Sequence, residues 1–189
     1  MTFSIVLRDS EENSFGIAVA TKHFAVGALV PHLRSGVGAV AVQASTNPHL
    51  GLSGLEQLAS GKNIEQALKT VLAEDPETGL RQLHGLDASG KSWAWSGKQT
   101  KKWAGHQCGE NYSVAGNMLT GLEVVETCVE SLLKNTDLPL EEKLLKALQA
   151  GEQAGGDRRG KQSAALLTVR HQPYTWCNLR VDDHPEPLS

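Results

Sequence analysis

Cysteine is scarce in this chain of 189 residues: Cys108, Cys128 and Cys177 are odd in number, widely separated and form no C-x-x-C pair. That excludes a disulfide framework or a zinc knuckle and leaves reduced, mostly buried thiols as the expectation. Aromatics are few, with four Trp, two Tyr and three Phe, while glycine reaches 19; the pair of figures describes tight turns and small-residue strands rather than a helical bundle. Long apolar runs are missing. Stretches such as Gly36 to Ala44 are far shorter than a membrane span, and the amino terminus lacks the regions of a signal peptide, so a cytoplasmic protein without a membrane partner is expected. An excess of positive charge is also missing, because a net charge of -3 and a pI near 6.2 give no footprint for phosphate backbones, and nucleic acid is a poor partner. What is present is a chain that is 40% hydrophobic, enough for one core and one domain over residues 1 to 189.

Periodicity gives the element order. Residues 2 to 8 carry Phe3, Ile5 and Leu7 on one face, a polar turn follows at Asp9 to Ser14, and Phe15 to Lys22 resumes as a strand so apolar that it is expected to be covered on both faces. After a connection containing Gly27 and Pro31, Gly36 to Gln43 reads as a third strand, stopped by Ser45-Thr46-Asn47-Pro48. Helices are expected over Gly51 to Ser60, with Leu52, Leu55 and Leu58 inward, and over Asn63 to Ala73. Arg81 to Asp87 and Lys91 to Gly97 read as a hairpin in which Trp93 and Trp95 alternate. Thr120 to Glu123 has the form of a capping box opening a helix to about Leu133, and Asp137 with Pro139 opens another whose stripe is Leu140, Leu144, Leu145 and Leu148. Strands at Gln162 to Val169 and Tyr174 to Val181 close the chain. Consecutive strands and paired helices predict an α+β fold, a four-layer α-β-β-α sandwich with antiparallel sheets, over a βαβ arrangement.

The sharpest chemical feature is Thr2. A small second side chain permits removal of Met1, and the exposed threonine can use its own α-amine as base for its hydroxyl. A free α-amino group titrates at about 7.7 to 8.0, and a nearby cation would enlarge its neutral fraction. Lys22, ending the strand that pairs with the first, is the candidate cation. The competing reading is plain: many chains begin Met-Thr and many strands end in Lys. Among other chemistries, no H-x-x-x-H or H-E-x-x-H spacing, G-x-S-x-G elbow or phosphate loop occurs, so no metal and no cofactor is expected. Asp182-Asp183-His184 reads as a strand-end network or dimer contact. Trp93, Trp95 and Trp103 read as a core edge or interface, with a ligand-stacking platform as the alternative.

Thr2 to Val6, Gly16 to Lys22, Phe24 to Gly27, Gly36 to Gln43, Asn47-Pro48, Trp103 to His106, Gly116 to Leu119, Gly155 to Arg158, Gln162 to Ala165 and Arg180 to His184 together resemble the domain of unknown function 1028 family. That family is similar to the amino-terminal-nucleophile (Ntn) hydrolases. The resemblance implies an Ntn-like sandwich, a processed Thr2, amide-bond hydrolysis and a homodimer. Within it, Asn47 could donate to a developing oxyanion or simply serve the turn before Pro48. Asp157 could orient the Thr2 amine and Arg158 could bind a substrate carboxylate, or the two could form a surface pair. Ser163 would stand near the α-amine by fold analogy. Asn117, Gln43 and His106 complete the candidate substrate contacts. The expected function is an amino-terminal-threonine amidohydrolase for a small amide, ureide or cyclic amide. Two rivals stand beside it: a metabolite-binding homodimer without catalysis, and a site using Asp157, His106 and Asp183 as acid and base.

Overall fold

The computed structural model describes residues 2–189. Strand β1 (Thr2–Asp9) turns back into β2 (Ser14–Thr21), and a short 3-10 turn leads to β3 (Pro31–Arg34) and β4 (Gly38–Ala44). Helices α1 (Pro48–Ala59) and α2 (Ile64–Ala73) precede β5 (Arg81–Asp87), β6 (Ser92–Ser96), β7 (Ala104–Gly109) and β8 (Tyr112–Asn117). Then come α3 (Glu123–Lys134), α4 (Leu140–Gln153), β9 (Ser163–Val169) and β10 (Thr175–Val181). All pairings are antiparallel, in a six-stranded sheet ordered β10-β9-β2-β1-β8-β7 and a four-stranded sheet ordered β3-β4-β5-β6.

Alternation along the strands sorts side chains into three apolar clusters. Phe3, Ile5 and Leu7 of β1 and Ala18 and Ala20 of β2 pack with Val125, Cys128, Leu144 and Leu148 of α3 and α4. The opposite faces contribute Val6, Phe15, Ile17 and Val19, which meet Ala39, Ala41 and Leu86 of the smaller sheet. That sheet's other face, Val40, Val42 and Leu83, packs on α1 and α2 through Leu55, Leu58, Leu68 and Val71. Strand β2 is buried along its whole length, as its composition predicts. Gly16 lets α4 approach β2 closely there, because a Cβ would need the Leu144 side chain to shift.

Several expectations need correction. Three strands, β3, β7 and β8, lie outside the elements that periodicity predicts. β3 is a four-residue edge strand that begins with proline, a position where the missing N–H costs nothing. β7 and β8 are built from Gly, Ala, Ser and polar residues with few β-branched ones, so no apolar alternation marks them. Their signal is the two-residue turn Glu110-Asn111, where Asn111 has φ +64°. α1 starts three residues earlier than expected because Asn47 caps it with Pro48 in its first turn; its buried face is therefore Leu50, Leu55 and Leu58, and Leu52 is exposed. The Thr120–Glu123 box does not form: α3 begins after Leu122 with no side-chain cap, and Thr120 packs against Gly155 while its N–H bonds to Gly156 O. Asp137 does not cap α4, and Leu145 lies at the surface rather than in the buried stripe. Trp93 and Trp95 pack on the α1–α2 cluster, whereas Trp103 packs on the α3–α4 cluster, so the three form no common platform. Among the described residues no helix is long and apolar enough to cross a membrane.

Candidate functional site

Thr2 opens β1, and its register places it opposite Asn117 at the end of β8. On its other side the next residue of the β1–β2 ladder is Thr21, whose hydroxyl accepts a hydrogen bond from Thr2 Oγ1 at 3.3 Å. Asn117 Nδ2 donates to Thr2 O at 3.4 Å and to Gln82 Oε1 at 2.9 Å. Thr2 is therefore held from both neighbouring strands. Two cavities flank this pair. One of about 250 Å³ is lined by Thr2 with His23, Val26, Leu29, Val30 and Thr46. The other, about 300 Å³, carries Ser45, Gln99, Lys101, Asn117, Met118 and Arg159 on its wall. Ala44 belongs to both.

Behind the site runs a buried polar network between the sheets. Gln43 Nε2 donates to Gln82 Oε1 at 2.9 Å and to Ala115 O at 3.1 Å, and Gln82 Nε2 reaches Ser96 Oγ at 2.8 Å and Gly116 O at 2.8 Å. Ser4 donates its single proton to Gln43 Oε1 at 2.7 Å, so His84 Nε2, also 2.7 Å from Ser4 Oγ, is the donor in that pair. Nδ1 of His84 then accepts from Ser113 Oγ at 3.0 Å. This assignment needs a neutral imidazole. Complete burial, aided by the neighbouring His106, pushes the His84 pKa down to about 3, and neutrality follows.

The loops around the cavities are held in unusual backbone conformations. Among the described residues, five that are not glycine have positive φ. Asn13 and Asn111 occupy hairpin turns, where asparagine suits that region. The other three are Ala25 (φ +50°), Ala44 (φ +74°) and Met118 (φ +53°), and all three line or adjoin the two cavities. Strain of this kind persists only where surrounding contacts over-determine it, and here they do. Arg81, in a buried ion pair with Asp75 at 2.6 Å, donates to Ser45 O at 2.7 Å. The Met118 N–H bonds to Lys101 O at 2.9 Å. Asp75 is held below the usual carboxylate range chiefly by its hydrogen bond from Arg81.

The family of unknown function DUF1028 matches residues 2–189. The chain belongs to the DUF1028 family. The crystal structure of protein SPO2555 from Silicibacter pomeroyi, of that same family, superposes with a TM-score of 0.92 at 32% identity, covering 99% of this chain and 81% of that one. Anbu, the ancestral beta-subunit from Yersinia bercovieri, is a remote neighbour, with a TM-score of 0.48 and 13% identity over 97% of this chain and 88% of that one. No curated protein matches the chain.

In this DUF1028 chain the residues singled out from sequence divide sharply. Thr2 and Asn117 come together at the cavities. Asp157 is buried nearby, but its carboxylate is occupied: Oδ2 accepts the Lys22 backbone N–H at 2.8 Å and Arg159 Nη2 at 3.1 Å. Lys22 does not present its ammonium to Thr2. β2 ends at Thr21, so the exposed Lys22 side chain leaves the sheet and donates to Lys161 O at 3.2 Å. Ser163 pairs with Thr21 in register, yet its hydroxyl donates to His23 O at 2.6 Å and accepts the Val26 N–H at 3.1 Å, so it fastens the loop after β2 instead of facing the amine. Asn47 spends its side-chain oxygen capping α1 through the His49 N–H at 3.2 Å and lines a separate depression with Asp75 and Pro76. Gln43 has no exposed surface and belongs to the interior network. His106 is exposed on edge strand β7, bonded to Ser96. Arg158 is exposed, and its neighbour Arg159 lines the cavity in its place. Asp183 accepts from Gln162 Nε2 at 3.0 Å, a strand-end contact, and among the described residues no His, Cys, Asp and Glu group could hold a metal ion.

Sequence reasoning missed Arg159, Lys101, Thr46 and Gln82. Arg159 differs from Arg158 only by which way a glycine-rich loop turns, and nothing in the sequence fixes that. Gln82 was legible in principle, as a polar residue that the alternation of β5 puts on the same face as His84 and Leu86. Removal of Met1 lies outside the described residues.

Proposed function

We propose that this protein is an amidohydrolase that uses the Thr2 hydroxyl as nucleophile on a small amide, ureide or cyclic amide. The observation that carries the reading is the position of Thr2, held by two neighbouring strands and lining a cavity sized for a metabolite. Removal of Met1 frees the α-amine. That amine takes the Thr2 hydroxyl proton as Oγ1 bonds to the carbonyl carbon, then passes the proton to the departing nitrogen as the C–N bond breaks; water hydrolyses the ester that remains. Thr46, whose hydroxyl has no hydrogen-bond partner among the described residues, is the donor available to the developing oxyanion. Arg159 and Lys101, in place of Lys22, supply the positive field. The three apolar clusters, read as an α-β-β-α stack, fit the layering of Ntn hydrolases and support the same conclusion.

The test joins intact-mass measurement to an amide-hydrolysis screen. The active protein should lack one methionine, and Thr2→Ala should lose about a thousandfold or more in rate. Activity in a preparation that retains Met1, or an unimpaired Thr2→Ala, overturns the reading.

One observation bears on the homodimer, which this reading shares with its rival, a metabolite-binding homodimer without catalysis. β10 ends the six-stranded sheet with an open edge, and around it Tyr174, Trp176 and Leu179 are 58%, 51% and 59% exposed. Such an edge invites a subunit contact. Sedimentation should give a dimer that Leu179→Glu dissociates, and a monomer at all concentrations refutes it.

A further inference from the structure

The two cavities beside Thr2 have different walls. On the Thr2 side, Val26, Leu29 and Val30 give an apolar wall. On the Asn117 side the wall carries Lys101 and Arg159 with the hydroxyls and amide of Ser45, Thr100 and Gln99. Among the described residues no Asp or Glu lines either space. Arg159 shares its charge with Asp157 at 3.1 Å, but Lys101 is exposed at the cavity wall with its backbone fixed by the Met118 N–H. A lysine with no carboxylate around its cavity makes a site of net positive charge, and such a site binds anions. The spaces share Ala44 as a wall residue, and Thr2 and Asn117, which line one each, are partners across β1 and β8.

We infer that one ligand spans both cavities, an amide bearing a carboxylate that is held beside Lys101 and Arg159 and a small apolar acyl group seated against Val26, Leu29 and Val30. Short N-acyl amino acids have this form. The inference rests on the reading of Thr2 as the point where the amide carbonyl lies, yet binding can be measured without turnover. Each cavity is at or below the small end of ligand sites, which limits each half of the ligand to a few carbon atoms.

The experiment is calorimetric titration of the Thr2→Ala protein with N-isobutyrylglycine and with its uncharged methylamide, repeated on Thr2→Ala carrying Lys101→Met. Lys101 is exposed, so the change leaves folding intact; Lys69→Met, on the far exposed face of α2, is the control. The carboxylate should bind about tenfold more tightly than the methylamide. Lys101→Met should shrink that difference, Lys69→Met should leave it whole, and added salt should shrink it. Equal binding of the two probes, a difference that Lys101→Met leaves whole, or no binding of either at millimolar concentration overturns the inference. Hydrolysis assays on the protein with Thr2 intact separate the two ideas. Carboxylate-selective binding without hydrolysis keeps the anion site and removes the nucleophile, whereas hydrolysis that ignores the carboxylate does the reverse.

Discussion

The space between the two sheets is apolar at one end and polar at the other. Val6, Phe15, Ile17 and Leu86 fill the first end with side chains that need only shape. Ser4, Gln43, Gln82, His84 and Asn117 fill the second with groups that need partners, and each is buried with a partner in place. The two ends share the same strands: along β1 the inward positions run Thr2, Ser4, Val6, and along β5 they run Gln82, His84, Leu86. An apolar interior tolerates small shifts, because dispersion has no direction. A hydrogen-bonded interior fixes orientation, because each donor must meet its acceptor in angle as well as distance. The polar end is the end that carries Thr2, the cavities and the strained loops. The fold gives up hydrophobic burial there and gains a fixed Asn117, through Gln82, against the Thr2 carbonyl.

The comparison can be broken first at Arg81. Arg81→Met leaves Asp75 buried without its partner and releases Ser45, and unfolding in urea should show a loss of about 3 to 5 kcal/mol, with ligand binding weakened because the cavity wall moves. Gln82→Leu attacks the network directly, leaving Asn117, Gln43 and Ser96 without a shared partner. A loss of about 2 to 3 kcal/mol is expected by the same measurement, and hydrolysis should fall further than stability alone explains. If Gln82→Leu is neutral, the polar end is not held by its hydrogen bonds.

Acid sharpens the contrast. His84 stays neutral when folded down to about pH 3, whereas in the unfolded chain it takes a proton below its ordinary value of about 6.5. The unfolded state therefore binds more protons between those two values, and stability falls as pH drops through that window, by up to about 1.4 kcal/mol per pH unit. His32, also lowered by burial, and Asp75, lowered by Arg81, add slopes of the same sign. His84→Gln should flatten the upper part of the curve, and an unchanged slope would refute the assignment to His84.

At the apolar end, Ile17→Val should cost only about 1 kcal/mol and leave ligand binding as it was. The smallest effect is expected at Ala44. Its φ of +74° suits glycine better, so Ala44→Gly should raise stability by about 0.5 to 1 kcal/mol in a melting experiment.

The strands and helices with strong periodicity were legible from the chain alone. Phe3, Ile5 and Leu7 face the helices as their alternation requires, and α2 runs from its Asn63 cap to Ala73. The family was legible too, since motifs spread along the chain carry it. What failed was local and polar. β7 and β8 lack the apolar pattern, Thr120 found a tertiary partner in Gly155 and left its cap unmade, and Asn47 served a helix rather than the cavity.

Sequence by itself determined which faces of β1, β2, β4 and α2 are buried, because burial follows a periodicity that each segment carries within itself. It also marked Thr2 as the residue whose chemistry depends on its place in the chain. Only the tertiary structure decided which charges line the cavity at Asn117, the register partner of Thr2. Lys22 and Lys101 are equally basic as residues, and Arg158 and Arg159 are neighbours in one loop; β2 ending at Thr21 turned Lys22 away, and the loop held by Asp157 turned Arg159 in. A charge acts through distance and dielectric, and neither is written in the order of the residues.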